Sequence, residues 1–318
     1  MGPQYTSHLV SLPTTFPITI ADEVATALEE GRGVVALETT IVVHGLPRPV
    51  NLEVAAECEA AVRAAGAIPA TIGVLGGRVR VGLTTSELED LADPNRYCAK
   101  LSARDIGSAL ATSTDGATTV AGTIAIAAVA GISVMATGGL GGVHRDAIHS
   151  FDESADLGCL ARTPVLVVAS GVKSILDIPA TLERLDTLGV PVVGFGTNEF
   201  PGFYLTSSGS PVDWRMDEPD VVARAFARHL ATGGRGFLLA HPVPEDQQLD
   251  PALHDAALAD ALAVVEEQKL SGKGVTPAML SAFAQRTAGV SVGVNRSLVV
   301  GNARVAGEVA VSFAREAR

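Results

Sequence analysis

Cysteine is scarce in this chain: Cys58, Cys98 and Cys159 are the only three in 318 residues, scattered and without metal-ligand spacing. That excludes a disulfide framework and a cysteine-built zinc site, and it suits a reducing cytoplasm in which the thiols merely pack. Aromatic residues make up 4% of a chain that is 47% hydrophobic, so the core has to be assembled from Ala, Val, Leu and Ile. Such side chains allow close helix-to-sheet packing, as in an α/β enzyme. Positive charge is also short, with 23 basic residues against 35 acidic ones, a net charge of −12 and no run of Lys or Arg. Nucleic-acid binding through a basic face is thereby disfavoured, and an anionic ligand would need a locally positive pocket. No basic segment leads into a long apolar run at the N-terminus, so no signal peptide is expected. Residues 116–143 carry no charge. Gly131 divides them into an alanine-rich helix and a short strand, which reads as buried structure rather than a bilayer span.

Lysine is the rarer base. The chain has Lys100, Lys173, Lys269 and Lys273, and the other 19 of its 23 basic residues are arginine. Lys173 follows VLVV at 165–168, a run that reads as a strand buried on both faces, and the small-residue turn Ala169, Ser170, Gly171. Helical spacing resumes after Ser174, a candidate N-cap, around Pro179. Ligands of parallel α/β sheets bind at the carboxyl ends of strands. A lysine there has two readings: a strand-end cation in water, or a side chain that can lose its proton and act as a nucleophile, which arginine cannot.

The rest of the chain alternates. Residues 1–17 hold three prolines and no periodicity and read as an arm. A helix is expected over 21–30, a buried strand over 34–37 that ends in Glu38, and a helix over 51–65 capped by Asn51. Strands over 68–74 and 79–83 flank Gly76-Gly77, a hairpin signal. Lys100 opens a polar loop, and Thr112 to Thr119 supply hydroxyl and amide groups where the alanine-rich helix begins, a place that can hold an anion. TGGLGGVH at 137–144 brings backbone N–H groups close to a ligand, but it is neither GxGxxG nor a P-loop. FDESADL at 151–157 gathers Asp152, Glu153 and Asp156 around Ser154; these are solvated capping carboxylates, or one of them holds a hard divalent cation with several waters. Strands at 190–195 and 236–240, a helix at 220–230 and a helical last quarter complete a single α/β domain over 18–318. Asn295 and Asn302 lie on the last helix, as core polar groups or ligand readers.

Ten motifs in order carry a resemblance: ALETTIVVHGLPRPVN, AKLSARD, GATTVAGT, TGGLGGVHR, FDESADL, ASGVKSILD, GTNEFPGFY, HPVPED, GKGVTP and GNARVAGEVA. From about residue 16 onward the chain resembles the pseudouridine-5'-phosphate glycosidases. The resemblance implies an α/β/α sandwich with a mostly parallel sheet, a homotrimer, and reversible cleavage of pseudouridine 5'-phosphate to uracil and ribose 5-phosphate with Mn2+. It implies Lys173 as nucleophile, Glu38 as proton donor and Asp152 as metal ligand. Lys100, Val120, Ser154, Ala155 and Asp156 fall at substrate-binding positions, and Thr137, His144 and Asn302 in motifs that line the family's site. Departures from the family pattern are Glu153 beside the metal position, Asn198, His241 and Arg296.

The chemistry accounts for such a set. The sugar C1' is joined to uracil through carbon, so the leaving-atom protonation used by ordinary glycosidases has nothing to act on. An amine adding to C1' with ring opening makes an iminium electron sink, while a carboxyl group delivers and removes protons. Lys100 is either the second cation that lowers the Lys173 pKa or a phosphate contact. Two rivals stand beside this reading: another lysine-dependent sugar-phosphate lyase or aldolase, and a non-catalytic sugar-phosphate binder.

Overall fold

Four neighbouring strands in the middle of the sheet are wholly buried, and the architecture is arranged around them. The computed structural model describes residues 16–268 and 275–316. Its first half runs β1 (Ile18–Ile20), α1 (Asp22–Glu29), β2 (Val34–Leu37), a π-helical turn (Ile41–Gly45), α2 (Val50–Ala64), β3 (Ile68–Leu75), β4 (Arg78–Val81), α3 (Thr85–Leu91), β5 (Ala99–Leu101), α4 (Ile106–Ala111), β6 (Gly116–Thr118), α5 (Val120–Val129) and β7 (Val134–Ala136). There follow α6 (Ala147–Ser150), α7 (Ala155–Arg162), β8 (Leu166–Ala169), α8 (Ile178–Thr187), β9 (Val192–Phe195), β10 (Trp214–Met216), α9 (Pro219–Ala231), β11 (Phe237–Ala240), α10 (Pro251–Glu267), α11 (Val275–Arg286) and α12 (Val290–Glu316).

The sheet order is β1-β4-β3-β2-β7-β8-β11-β9-β10, with β6 joined to β3 and β5 to β6. From β3 through β2, β7, β8, β11 and β9 to β10 every pairing is parallel. The antiparallel pairings are those of β3 with β4 and β6. Every residue of β2, β7, β8 and β11 is buried, which explains why their sequences are continuous apolar runs rather than alternating ones. The uncharged stretch at 116–143 divides at Gly131 into α5 and β7, preceded by β6. Among the described residues no helix is long and apolar enough to cross a membrane.

Helices α2, α9 and α12 cover one face, with α12 lying across β2, β7 and β8; α5, α7 and α8 cover the other. The aromatic-poor composition makes this approach possible. A Cβ on Gly307 of α12 would sit 2.7 Å from Ala65 Cβ and 3.2 Å from the Val62 carbonyl oxygen, so α2 and α12 meet backbone to backbone. At the other edge of that contact Arg296 donates to Glu57 and Glu53 of α2, so this departure from the family pattern is an interhelical ion-pair clamp.

Several local expectations are corrected. Lys100 lies in β5, not in a loop, because 99–101 pairs in parallel with 116–118. Asn51 is inside α2, which begins after Pro49, and its side-chain amide donates to the Val42 carbonyl at 2.8 Å, tying α2 to the π-turn. Asp177, not Ser174, caps α8: its carboxylate accepts from Ala180 N at 3.0 Å, and Pro179 falls in the first turn, where its missing N–H costs nothing. The short strands β1 and β10 lack a period-2 pattern long enough to read. All but two residues of the expected arm at 1–17, together with Lys269, Lys273 and the start of GKGVTP, lie outside the described residues.

Candidate active site

The carboxyl ends of β2, β7 and β8 meet at one point. In register, Leu37 of β2 faces Ala136 of β7, so the next residues, Glu38 and Thr137, emerge side by side. The Thr137 hydroxyl donates to a Glu38 carboxylate oxygen. Past β8 the chain keeps a paired path along the glycine-rich loop: Ser170 N donates to the Gly138 carbonyl at 2.9 Å, Leu140 N to Gly171 at 3.0 Å, and Lys173 N to Leu140 at 3.2 Å. That extension carries Lys173 beyond the sheet edge into the same space as Glu38. Lys100 enters from β5.

A two-lobed cleft results, and Glu38, Thr40, Lys100 and Lys173 line both lobes. Lobe one, about 480 Å3 including its mouth, is walled by His44, Gly45, Gly138, Gly139, Phe203 and Asn295. Lobe two, about 910 Å3, is more polar in composition, with Ser102, Arg104, Val120, His144, Asp152 and Ser154–Asp156 in its lining. Two helix starts open onto lobe two. Thr119 caps α5 by accepting from Gly122 N, and Ser154 caps α7 by accepting from Asp156 N. Helix N-termini present a positive dipole end, and here Lys100, Arg104 and Lys173 share the lining with the carboxylates Glu38, Asp152, Glu153 and Asp156.

Asp156 holds those parts together. It is 6% exposed, and its two carboxylate oxygens accept from Ala121 N of α5 at 2.9 Å and from Gly141 N at 2.8 Å. A side chain at Gly141 would collide with Ser154 Oγ, so only glycine lets the loop reach that carboxylate. The following loop folds back on itself: His144 N donates to the Asp152 carbonyl at 3.0 Å, and His144 Nε2 lies 3.9 Å from Asp152 Oδ2. Glu153, one residue on, accepts from Arg184 of α8 at 2.8 Å.

Burial raises the Glu38 carboxyl above its ordinary pKa; the nearby Lys173 charge and the Thr137 hydrogen bond oppose the shift without cancelling it. A mostly apolar hollow of about 360 Å3 including its mouth, lined by Leu37, Val54, Cys58 and Val299, adjoins Glu38 and Thr137. Burial likewise lowers the His44 pKa, helped by the Lys100 charge.

Lys173, Glu38, Lys100, Val120, Ser154, Ala155, Asp156, His144 and Asp152 thus share the cleft, and Thr137 lines lobe one. Asn302 does not reach the lining. It is 0% exposed, and its amide donates to the Thr137 carbonyl at 2.8 Å and to Ser170 Oγ at 3.1 Å, while its oxygen faces His241 Nδ1 at 2.8 Å. It fastens the ends of β7, β8 and β11 from behind the site. Thr40, His44, Ser102 and Arg104 line the cleft although sequence reasoning assigned them no part, and Asn295, one of the two asparagines offered as ligand readers, lines it as well. Asn295 carried a signal, being an amide on an otherwise apolar helical face; His44 carried only its place in the loop after a strand end.

The profile of the family described as Indigoidine synthase A like protein matches residues 23–312. The pseudouridine-5'-phosphate glycosidase of Salinispora tropica is 56% identical over 307 residues, covering 96% of this chain and 94% of that protein. That of Streptomyces griseus is 55% identical, covering 93% and 92%. Among solved structures, the prealnumycin C-glycosynthase AlnA in complex with ribulose 5-phosphate superposes with a TM-score of 0.88 at 43% identity, covering 96% of this chain and 99% of that one. An indigoidine synthase A-like protein of Thermotoga maritima superposes with a TM-score of 0.86 at 34% identity, covering 94% and 97%. With the site assembled from strand ends that these relatives share in fold, the chain belongs to the indigoidine synthase A-like family, that of the pseudouridine-5'-phosphate glycosidases.

Proposed function

We propose that this protein reversibly cleaves the C–C glycosidic bond of pseudouridine 5'-phosphate, giving uracil and ribose 5-phosphate. The observation that carries the reading is the placement of Lys173 together with Glu38, whose carboxyl pKa is raised by burial, at the neck between the two lobes. Relatives at 56% and 55% identity bear that activity as their name, and a solved relative named as a C-glycosynthase holds a five-carbon sugar phosphate.

In this reading the phosphate occupies lobe two, facing the starts of α5 and α7 and the side chains of Lys100 and Arg104. The base occupies lobe one beside Phe203. Lys173 Nζ bonds to C1' as the C1'–O4' bond opens, and O4' takes a proton delivered by Glu38. Glu38 takes a proton back from the Lys173 ammonium and passes it to uracil C5, and the C1'–C5 bond breaks with its electron pair restoring the C5–C6 double bond. The Lys173 lone pair completes an iminium at C1'. Water adds to C1', the amine leaves, and ribose 5-phosphate is released; atoms and charge balance as substrate plus water. Lys100 lines both lobes beside Lys173 and adds a second positive charge at the neck.

Mn2+ is the metal we propose. Among the described residues no three His, Cys, Asp or Glu side chains gather as a metal cluster. Asp152, half-exposed to a polar lobe with His144 beside it, fits an ion that keeps most of its water, as hard divalent cations do with one carboxylate. Glu153 is engaged by Arg184 and is not needed as a ligand. When bound, the ion would neutralise phosphate charge. From the family likeness we also propose a homotrimer acting in the cytoplasm; Tyr97, Ile148 and Phe151, each more than four-fifths exposed, are apolar surface that assembly could cover.

The test is uracil release from pseudouridine 5'-phosphate with Mn2+, beside Lys173→Ala and a chelated sample. Uracil from the wild type alone, and borohydride trapping of ribose 5-phosphate on Lys173, are expected. Equal release by Lys173→Ala would overturn the mechanism, and no release by folded wild type would overturn the function.

A further inference from the structure

Two polar atoms in the wall of lobe one stand without partners. Among the buried side-chain nitrogens and oxygens of the described residues, His44 Nε2 and Asn295 Oδ1 make no hydrogen bond. Asn295 is 5% exposed, and both residues line lobe one and the cavity adjoining it. Buried polar groups are nearly always satisfied, so an unsatisfied pair in a ligand cavity points to the ligand as the missing partner.

Their surroundings define their chemistry. The other ring nitrogen of His44 is hydrogen-bonded to the backbone of Cys98, and burial together with Lys100 disfavours the imidazolium. A neutral ring that donates from Nδ1 to a carbonyl carries a lone pair on Nε2. Asn295 Oδ1 is a carbonyl-type acceptor. The turn that presents His44 is the five-residue π-helix Ile41–Gly45, closed by Leu46 N donating to the Ile41 carbonyl at 3.0 Å, so the backbone that carries the ring is fixed. The wall therefore offers two acceptors to a planar ring.

Uracil joined to ribose through C5 presents two ring N–H groups, N1–H and N3–H; joined through N1, as in uridine, it presents only N3–H. We propose that His44 Nε2 and Asn295 Oδ1 are a paired acceptor that selects the C-linked base by accepting from both of its ring N–H groups. This rests on the preceding assignment of lobe one to the base. An N-linked nucleotide would strand one buried acceptor, and a site built to hydrogen-bond a group rejects analogues that lack it more strongly than an apolar pocket rejects a misfit.

The experiment compares kcat/KM for pseudouridine 5'-phosphate and its N1-methyl and N3-methyl derivatives in wild type, His44→Ala and Asn295→Ala. Wild type should prefer the parent over each methylated substrate by about tenfold or more, the value of one lost hydrogen bond with its partner stranded. Each variant should lose about tenfold on the parent and lose the preference against one methylated position while keeping the other. Borohydride trapping of ribose 5-phosphate on Lys173, which needs no base, shows that each variant is folded and its sugar site intact. If both variants keep the wild-type ratios, or wild type cleaves all three substrates equally, the paired acceptor is refuted. If wild type releases uracil from none of them, it is the functional reading itself that fails.

Discussion

Replacing Asp156 by asparagine tests whether this carboxylate positions the site or touches the substrate. Its oxygens accept from Ala121 N and Gly141 N at 2.9 and 2.8 Å, and the residue is almost wholly buried. Asparagine has nearly the same shape but only one acceptor, so one backbone N–H would face an NH2 group. Hydrogen bonds to a charged acceptor contribute about 1.5–3 kcal/mol, and a stranded buried N–H costs about 1–3 kcal/mol. Allowing for the weaker neutral bond that survives, Asp156→Asn should destabilise by about 3–5 kcal/mol, and the melting temperature should fall by roughly 5–10 °C. The control is Ser154→Ala, which removes a helix cap and should cost only about 1 kcal/mol. Because the start of α5 and the glycine-rich loop frame lobe two, KM for pseudouridine 5'-phosphate should rise more than kcat falls. Thermal and urea denaturation beside steady-state kinetics read both effects. A variant with wild-type melting and a tenfold higher KM would refute the reasoning, since the carboxylate would then be acting on the ligand rather than on the backbone.

Glu38→Gln should abolish uracil release, and it should stabilise the fold in a pH-dependent way. The folded-state pKa of Glu38 is raised by burial, so the wild type loses stability as pH climbs through that raised value and the carboxylate ionises in a dry site. Melting curves of the variant should exceed those of the wild type at neutral and alkaline pH and converge with them below the ordinary carboxylate range; a constant offset at all pH values would refute the shift. Gly307→Ala forces a methyl group against Ala65 at 2.7 Å and should cost about 1–3 kcal/mol in urea denaturation while leaving the affinity for substrate unchanged. No loss of stability would mean that α2 and α12 separate easily.

The long parallel core was legible because its strands are buried on both faces. VVAL at 34–37 and LVVA at 166–169 have no polar residue to hide, and the first polar or charged residues after them, Glu38 and the Ser170–Lys173 segment, fall where a parallel sheet gathers its ligands. The hairpin at Gly76-Gly77 was readable from its turn residues, both of which take positive φ. Short pieces were not. Lys100 belongs to a three-residue strand whose pairing with 116–118 is long-range, and no local pattern of that length distinguishes strand from loop. The cap of α8 went to Asp177 because the chain first runs alongside the glycine-rich loop, a constraint invisible in 170–178 alone.

The site divides in the same way. By itself the sequence determined which residue types could do the chemistry, because lysine is rare, carboxylates follow apolar strands at few places, and ten ordered motifs carry a family likeness. Only the tertiary structure decided what each of them touches. Asp156 turned toward two backbone N–H groups, Asn302 withdrew behind the strand ends, Glu153 went to Arg184, and His44 and Asn295, 251 positions apart in number, came to line one wall. The physical reason is that a hydrogen bond is settled by direction and distance in space, whereas sequence records only the order in which donors and acceptors are strung.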